Sequence, residues 1–289
     1  MADVLTQVRP TAEGVRRRRQ RMPVLVGISF VAATFIVVLV LFGQWLTPYD
    51  PTAQNLRLSS AGPGHGHWLG TDSLGRDVTS LIIAGARVAV LGPLIIALGT
   101  VLIGATLGIV AGFKGGLLDG VVNRFADLLY ALPGLLVVIV IVGVVGGGYW
   151  LAVAVLIVLS VPAEIRLCRS ATSVQVRMAY VEAARVLGLP ARRIMVRHIL
   201  PNILPTIIAT VLLDFVGGLI SLSSLSYLGL GVPPGTPDWG SLLQAGQSLL
   251  QVNPWMSVAA GAMIILTATS MTLIGDWLYD RYRQRGESR

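Results

Sequence analysis

Residues 88–113 read VAVLGPLIIALGTVLIGATLGIVAGF, with no charged side chain from end to end. A helix needs about 20 apolar residues to cross the hydrocarbon of a bilayer, and this stretch is long enough to do so. Uncharged stretches of the same kind run over 22–49, 128–163, 198–213, 215–237 and 239–275. The 128–163 stretch is too long for one crossing, and Gly146, Gly147 and Gly148 divide it into two helices. Asp214 interrupts a single helix from Ile203 to Leu230, since no turn residues flank it. Pro233, Pro234, Pro237 and Pro254 mark 231–254 as a loop holding a short amphipathic piece. The expectation is an all-α integral membrane protein of six transmembrane helices, at 24–46, 88–112, 118–146, 149–169, 203–230 and 255–278. A basic tail, 1–22, precedes the membrane domain of 23–289, with an outer loop at 47–87 and a cytoplasmic loop at 170–200.

Composition agrees with this reading. Hydrophobic residues make up 54% of the chain and charged residues 12%, against about 25% charged in a soluble domain. The net charge of +8 does not signal nucleic acid, because the arginines stand at the feet of apolar segments without interleaved aromatics to stack bases. One cysteine, Cys168, excludes an internal disulfide and a cysteine-based metal cluster. Arg16 to Arg19 and Arg21 precede the first apolar run as in a signal peptide. That run exceeds the 7–15 residues of a signal core and is followed by no small-residue cleavage site near Trp45, so it is expected to be retained.

Basic residues orient the spans, because they are kept on the cytoplasmic side of short flanking loops. Arg57, Arg76 and Arg87 fall in segments placed outside, and the other 19 of the 22 basic residues fall on the opposite side. Both termini are therefore expected in the cytoplasm. No internal sequence repeat is visible.

The largest cytoplasmic loop contains Tyr180, Val181, Glu182, Ala183, Ala184, Arg185, Val186, Leu187 and Gly188, then ten residues, then Ile199, Leu200 and Pro201. Residues 178–187 are good helix formers, the two alanines permit close approach of another surface, and Gly188 is placed to end the helix. Pro190 can open a second helix whose Arg192, Arg193 and Arg197 face the headgroups before Pro201 and Pro205 lead into the fifth span. The outcome is a helical knob at the membrane surface, suited to pass force from a soluble partner into the spans.

The pattern E-A-A-x3-G, ten residues, I-L-P resembles the coupling loop of bacterial ABC importer permeases. The resemblance implies the type I importer permease fold, with Tyr180, Glu182, Ala183, Ala184, Gly188, Ile199 and Pro201 contributing to contact with an ATPase. A second match narrows the family: His67, Trp68, Leu69, Gly70, Thr71, Asp72, Ser73, Leu74, Gly75, Arg76, Asp77 and Val78 are similar to H-x-L-G-T-D-x-L-G-R-D-V of the second permease subunit in dipeptide, oligopeptide, glutathione and nickel importers. Read as residues alone, this is a polar loop in which Asp72, Arg76 and Asp77 can pair locally, its charges otherwise solvated. Agreement continues through Ala111, Gly112, Gly115, Gly116, Asp119, Arg124, Asp127 and Pro133. It resumes through Leu225 to Gly229, Pro234, Trp239 and Gly240. One departure is Leu222 followed by Ser223, where the pattern has an acid before L-S-x-L-G.

The resemblance implies a homologous permease as partner, two cytoplasmic ATPases or one fused ATPase, an external substrate-binding protein and a peptide substrate, with glutathione or nickel as alternatives. It places ATP and magnesium on the ATPases and no cofactor or catalytic residue on this chain. From the residues alone, Asp214 is the one acid read as deep in a span, a candidate for the pathway or a buried hydrogen bond, and for proton coupling in a secondary transporter. Ser221, Ser223, Ser224 and Ser226 make one stretch of the fifth span polar, suited to a peptide backbone in transit or to helix association. Glu164 and Asp276 read as interfacial, near Arg166 and Arg281, while Asp119, Asn123 and Asp127 cap and solvate a helix end. Gly104 and Gly108 form a small-x3-small pair suited to close packing, including against a partner subunit. His65 and His67, with no cysteine or further histidine nearby, do not make a metal site.

Overall fold

The computed structural model describes residues 23–286 except 65, 131–132 and 147. Within them ten α-helices form and no β-strand. They are α1 (Val24–Leu46), α2 (Val78–Lys114), α3 (Gly116–Tyr130), α4 (Gly134–Val145), α5 (Gly148–Val176), α6 (Ala179–Val186), α7 (Ala191–Ile194), α8 (Leu200–Tyr227), α9 (Trp239–Gly246) and α10 (Trp255–Gly286). The basic tail 1–22 lies outside the described residues.

The helices depart from the expected spans in three main ways. α2 starts at Val78 rather than near 88, because Asp77 caps it and Val78, Leu81, Ile82 and Ala86 are buried against α1, α9 and α10. Arg87, expected in an external loop, is therefore a residue of the helix itself. Helix 118–146 is two helices, since Pro133 caps α4 and α3 meets α4 at 73°. A proline donates no backbone hydrogen bond, and it disfavours helix in the residue before it. The second helix of the basic loop and the fifth span are continuous, 191–227, joined by a π turn at Met195–Ile199 that ends with the Leu200 amide on the Met195 carbonyl. Pro201 and Pro205 remove two donors and crowd the preceding turn, and the wider turn makes room for them.

Five helices are long and apolar enough to cross a membrane, and the α3–α4 pair makes a sixth if it crosses as one broken span. The contacts of α2 with α5 decide for six. A Cβ on Gly92 would meet Tyr149; on Gly99, Ile157; on Gly104, Glu164; on Gly108, Ile165 and Cys168; on Gly112, Arg169 and Thr172. Residue numbers rise together along both helices, so α2 and α5 run parallel. The chain must return between them over the length from Gly92 to Gly112, about 30 Å at 1.5 Å per residue, and α3 with α4 supplies that return. The glycine pair thus closes a seam inside this chain rather than against another subunit. α8 runs antiparallel to α2, with Gly218 against Pro93 and Ile96 and with Thr210 opposite the Glu164 level. Phe30 of α1 meets Trp277 of α10 edge-on at 5.8 Å, which brings the start of α1 and the end of α10 to one end of the bundle. Lys114, the 177–197 segment and Arg281 share that end.

Ion pairs tie α3 to α5. Arg166 Nη2 donates to Asp127 Oδ1 at 2.7 Å, and Arg169 pairs with Asp119 through two nitrogens. Of the residues expected to cap and solvate a helix end, Asp119 is instead paired across to α5, Asp127 stays solvated while pairing with Arg166, and the Asn123 side chain lies outside the described residues. Glu164, expected at an interface with Arg166, is 3% exposed and accepts from Cys168 Sγ at 3.1 Å and Thr210 Oγ1 at 3.4 Å.

Candidate functional site

At the basic end, α6 is a two-turn helix laid against the bundle. Val181 and Ala184, three residues apart on one face, pack with Ile194, Ile199, Ile203, Cys168 and Ile109. Gly188 ends the helix at φ +70°, where its amide bonds to Arg185 O at 2.9 Å and the Leu189 amide bonds to Ala184 O at 3.1 Å. This pair of hydrogen bonds is the left-handed closure that glycine makes at least cost. The Arg185 guanidinium lies 5.1 Å from the Phe113 ring centroid, joining α6 to the last turn of α2. Tyr180 donates to Gln175 and accepts from Asn202 Nδ2 at 3.2 Å, linking α6 to α5 and α8. Burial pushes the Tyr180 phenol up from its ordinary value, so it stays a neutral donor.

These contacts divide the residues expected at the ATPase contact. Ala184 and Ile199 are buried in the knob's own base, so they seat α6 and do not face a partner. Glu182, Ala183 and Gly188 are exposed, Tyr180 is partly so, and Pro201 lies exposed at the start of α8. Beside them stand two residues that sequence reasoning missed, Val186 at 83% and Leu187 at 78% exposed. Their apolar side chains outside the spans, next to Arg185 and Glu182, are the feature that could have marked them.

The opposite end is built around the His67–Val78 motif, whose charges are not solvated. Asp72 and Asp77 are 2% and 3% exposed. Asp72 Oδ1 accepts from the amides of Leu74 (2.9 Å) and Arg76 (2.8 Å), and its Oδ2 from Arg76 Nε at 2.7 Å. Asp77 Oδ1 bonds to His67 Nδ1 at 2.8 Å, while its Oδ2 accepts from Ser80 N at 2.7 Å and Ser80 Oγ at 2.8 Å, capping α2. Thr71 donates to Leu58 O and accepts from the Ala61 amide. Asn253, wholly buried, reaches across from the α9–α10 link and donates to Leu69 O at 3.0 Å and Thr71 O at 3.2 Å. Trp239, also wholly buried, donates through Nε1 to Ile82 O at 3.0 Å. Asp238 caps α9 through the Gly240 and Ser241 amides, and burial pushes its carboxyl up against those hydrogen bonds. Asn253 and Trp239 had no role in the sequence reading as clamps. His67 has one nitrogen committed to Asp77, His65 lies outside the described residues, and no metal-holding group of three His, Cys, Asp or Glu occurs among the described residues.

Gly70 and Gly75 carry the tight crossings of this knot. At φ +71°, a Cβ on Gly75 would lie 1.8 Å from Asn55 O. Gly75→Ala is therefore expected to unpin 47–77 and lower stability by about 3 kcal/mol, through an overpacked and left-handed position. Limited proteolysis of the purified protein reads this directly, as faster cleavage within 47–77.

Of the residues considered for a pathway, Asp214, Ser221 and Ser224 are half-buried on α8, whereas Ser223 and Ser226 are covered. Ser223 is 8% exposed, with Gly240 of α9 over its backbone, so it is covered and not open. Leu222, at the position where the pattern has an acid, is buried against Gly92 and Tyr149. Ser221 and Ser224 are half-buried, and Ser224 donates to Ile220 O at 2.8 Å. Ser226 is buried at 3% exposure. Asp214 is half-buried, and its Oδ2 has no hydrogen-bond partner among the described residues.

Six crossings, with a helical knob at the basic end and a tightly folded connection at the other, define a multi-pass membrane protein. The chain belongs to the family of inner-membrane components of binding-protein-dependent transport systems, whose profile matches residues 104–285. It is thus a multi-pass, non-catalytic permease subunit of an ABC importer. It is 36% identical over 260 residues to the glutathione transport system permease protein GsiD of Pectobacterium atrosepticum, covering 88% of this chain and 85% of that protein. Its identity to the protein of the same name from Escherichia coli O6:K15:H31 is also 36%, over 276 residues, covering 92% and 87%.

Proposed function

We propose that this permease, paired with a homologous permease, imports short peptides under the drive of two cytoplasmic ATPases or one fused ATPase, which carry the ATP and magnesium. An external binding protein delivers the substrate. The exposed face of α6 carries this reading: Glu182, Ala183, Arg185, Val186 and Leu187 stand clear of the bundle on a base rigid enough to transmit a push. Both termini and the knob lie on the cytoplasmic side in this scheme, because positive charge concentrates at that end. The 47–77 knot then faces outward. Glutathione is itself a tripeptide, and because relatives are named for its transport it is the first substrate to try, with nickel as an alternative.

The test is uptake of labelled glutathione, di- to pentapeptides and nickel into liposomes holding all subunits, with and without ATP. Uptake that needs every component is expected. Gly188→Asp, which a left-handed position tolerates better than most replacements and which adds a charge to the knob, should leave insertion intact and reduce uptake at least tenfold relative to ATP hydrolysed. Uptake by this chain alone, following a proton gradient, would overturn the scheme and turn attention to Asp214.

A further inference from the structure

The geometry points to a phospholipid site between α1 and α2: a phosphate on Arg87, with an acyl chain laid over Leu39, Val40 and Leu91. The two helices leave a groove of about 500 Å³ lined by these residues together with Gln44 and Thr47. Arg87 is exposed to it, although it lies about 14 Å along α2 from Val78 at 1.5 Å per residue.

Neighbouring contacts give its depth. Gly43 faces Ile83, since a Cβ there would lie 3.2 Å from Ile83 O, so Arg87 is one turn farther into the bundle than that crossing. Tyr149 donates to Val88 O at 2.6 Å, which puts the start of α5 beside Arg87. Trp150, next along α5, is 63% exposed, and Trp45 at the end of α1 is 71% exposed. Exposed tryptophans gather where headgroups meet acyl chains, so Arg87 stands at the boundary layer of the bilayer.

A guanidinium at that depth needs an anion, and the described residues provide none. Among the described residues no carboxylate pairs with Arg87. The acids of the adjoining connection are already engaged: Asp50 with Thr52, Asp72 with Arg76, Asp77 with His67 and Ser80. The groove itself has the polarity of a lipid. Gln44 and Thr47 lie toward the end of α1, Arg87 stands level with Leu39 and Val40, and Leu91 lies one turn deeper, so a guanidinium reaching outward holds the phosphate beside Gln44 and Thr47 and leaves the chain over the apolar residues. A phosphate can accept two parallel bonds from an arginine fork, and the stem of Arg87 can lie on apolar surface while its head stays polar. This charge balance favours a phospholipid over a purely apolar occupant.

Native mass spectrometry of the assembled importer, released from mild detergent, tests the site. Wild type and an Arg57→Gln control are expected to retain one phospholipid per copy of this chain, and Arg87→Gln to retain at least tenfold less. Equal retention by Arg87→Gln overturns the proposal. So does a variant whose two permeases separate while its lipid count is unchanged, since Arg87 would then answer a carboxylate of the partner permease. A second measurement does not depend on the variant folding. A phospholipid bearing a diazirine on its acyl chain, photolysed in wild-type importer, should label 39–47 and 83–91 above all other segments; even labelling of the lipid-facing helices overturns the site.

Discussion

Permease carrying Val186→Asp and Leu187→Asp together is expected to insert and fold as wild type, yet lose ATPase binding by a factor of 100 or more, and uptake with it. The two side chains are 83% and 78% exposed and contribute nothing to the bundle, so their removal leaves the fold alone. If they enter a groove on an ATPase, each buries an apolar side chain worth about 1.5–3 kcal/mol. At about 1.4 kcal/mol per tenfold, losing both accounts for the factor, and two carboxylates forced into an apolar groove add to it. Titrating purified ATPase against the permease in nanodiscs measures the effect. Binding unchanged by the double substitution would move the contact to Glu182 and Ala183 on the other exposed edge of α6. The seat of α6 is independent of these positions: Val181 and Ala184 hold it from below, and Gly188 closes it.

The spans were legible because the cost of charge in hydrocarbon leaves long uncharged runs, and the knob because its small residues and glycine have fixed spacing. What stayed hidden rests on contacts between residues far apart in sequence. Glu164 looked interfacial because Arg166 is two residues away, but on a helix such neighbours face different sides. Its partner Thr210 is 46 residues on. Asp72 and Asp77 looked solvated because a polar loop normally is; the carbonyls beside them are held by Asn253, 182 residues from Thr71. The start of α2 was hidden by Arg87, whose charge ends an uncharged run without ending a helix. The split between Ala183 and Ala184 was within reach of periodicity, since Val181 and Ala184 stand three apart, but deciding which face was inward required the packing.

Gly108→Val is expected to force α2 and α5 apart and to destabilise the fold severely. A Cβ at this position would lie 2.7 Å from Ile165 O, 2.8 Å from Cys168 Cβ and 3.0 Å from Arg169 N. Two of those three atoms are backbone, so no rotamer change can make room, and the helices must part. Overpacking of this kind costs about 3 kcal/mol, and the widened seam would also disturb Glu164 and Cys168, which lie along it. Size-exclusion profiles of the solubilised protein should show loss of the monodisperse peak and a lower thermal midpoint, with Gly120→Val, where nothing lies within 4 Å of a Cβ, as the undisturbed control. The seam has a mechanical consequence as well. Glycines at 92, 99, 104, 108 and 112 bring α2 and α5 together along their shared length, so the pair moves as one strut. α6 bears on that strut through Arg185 on Phe113 and through the cluster around Cys168. In the proposed scheme a displacement of the knob would be carried along this pair toward Tyr149 and the opposite end. Gly108→Ala adds the same Cβ without the two further methyls, so it too strains the seam, by less than valine; in the protein that still folds, ATP hydrolysis should separate from uptake while ATPase binding stays at its wild-type strength.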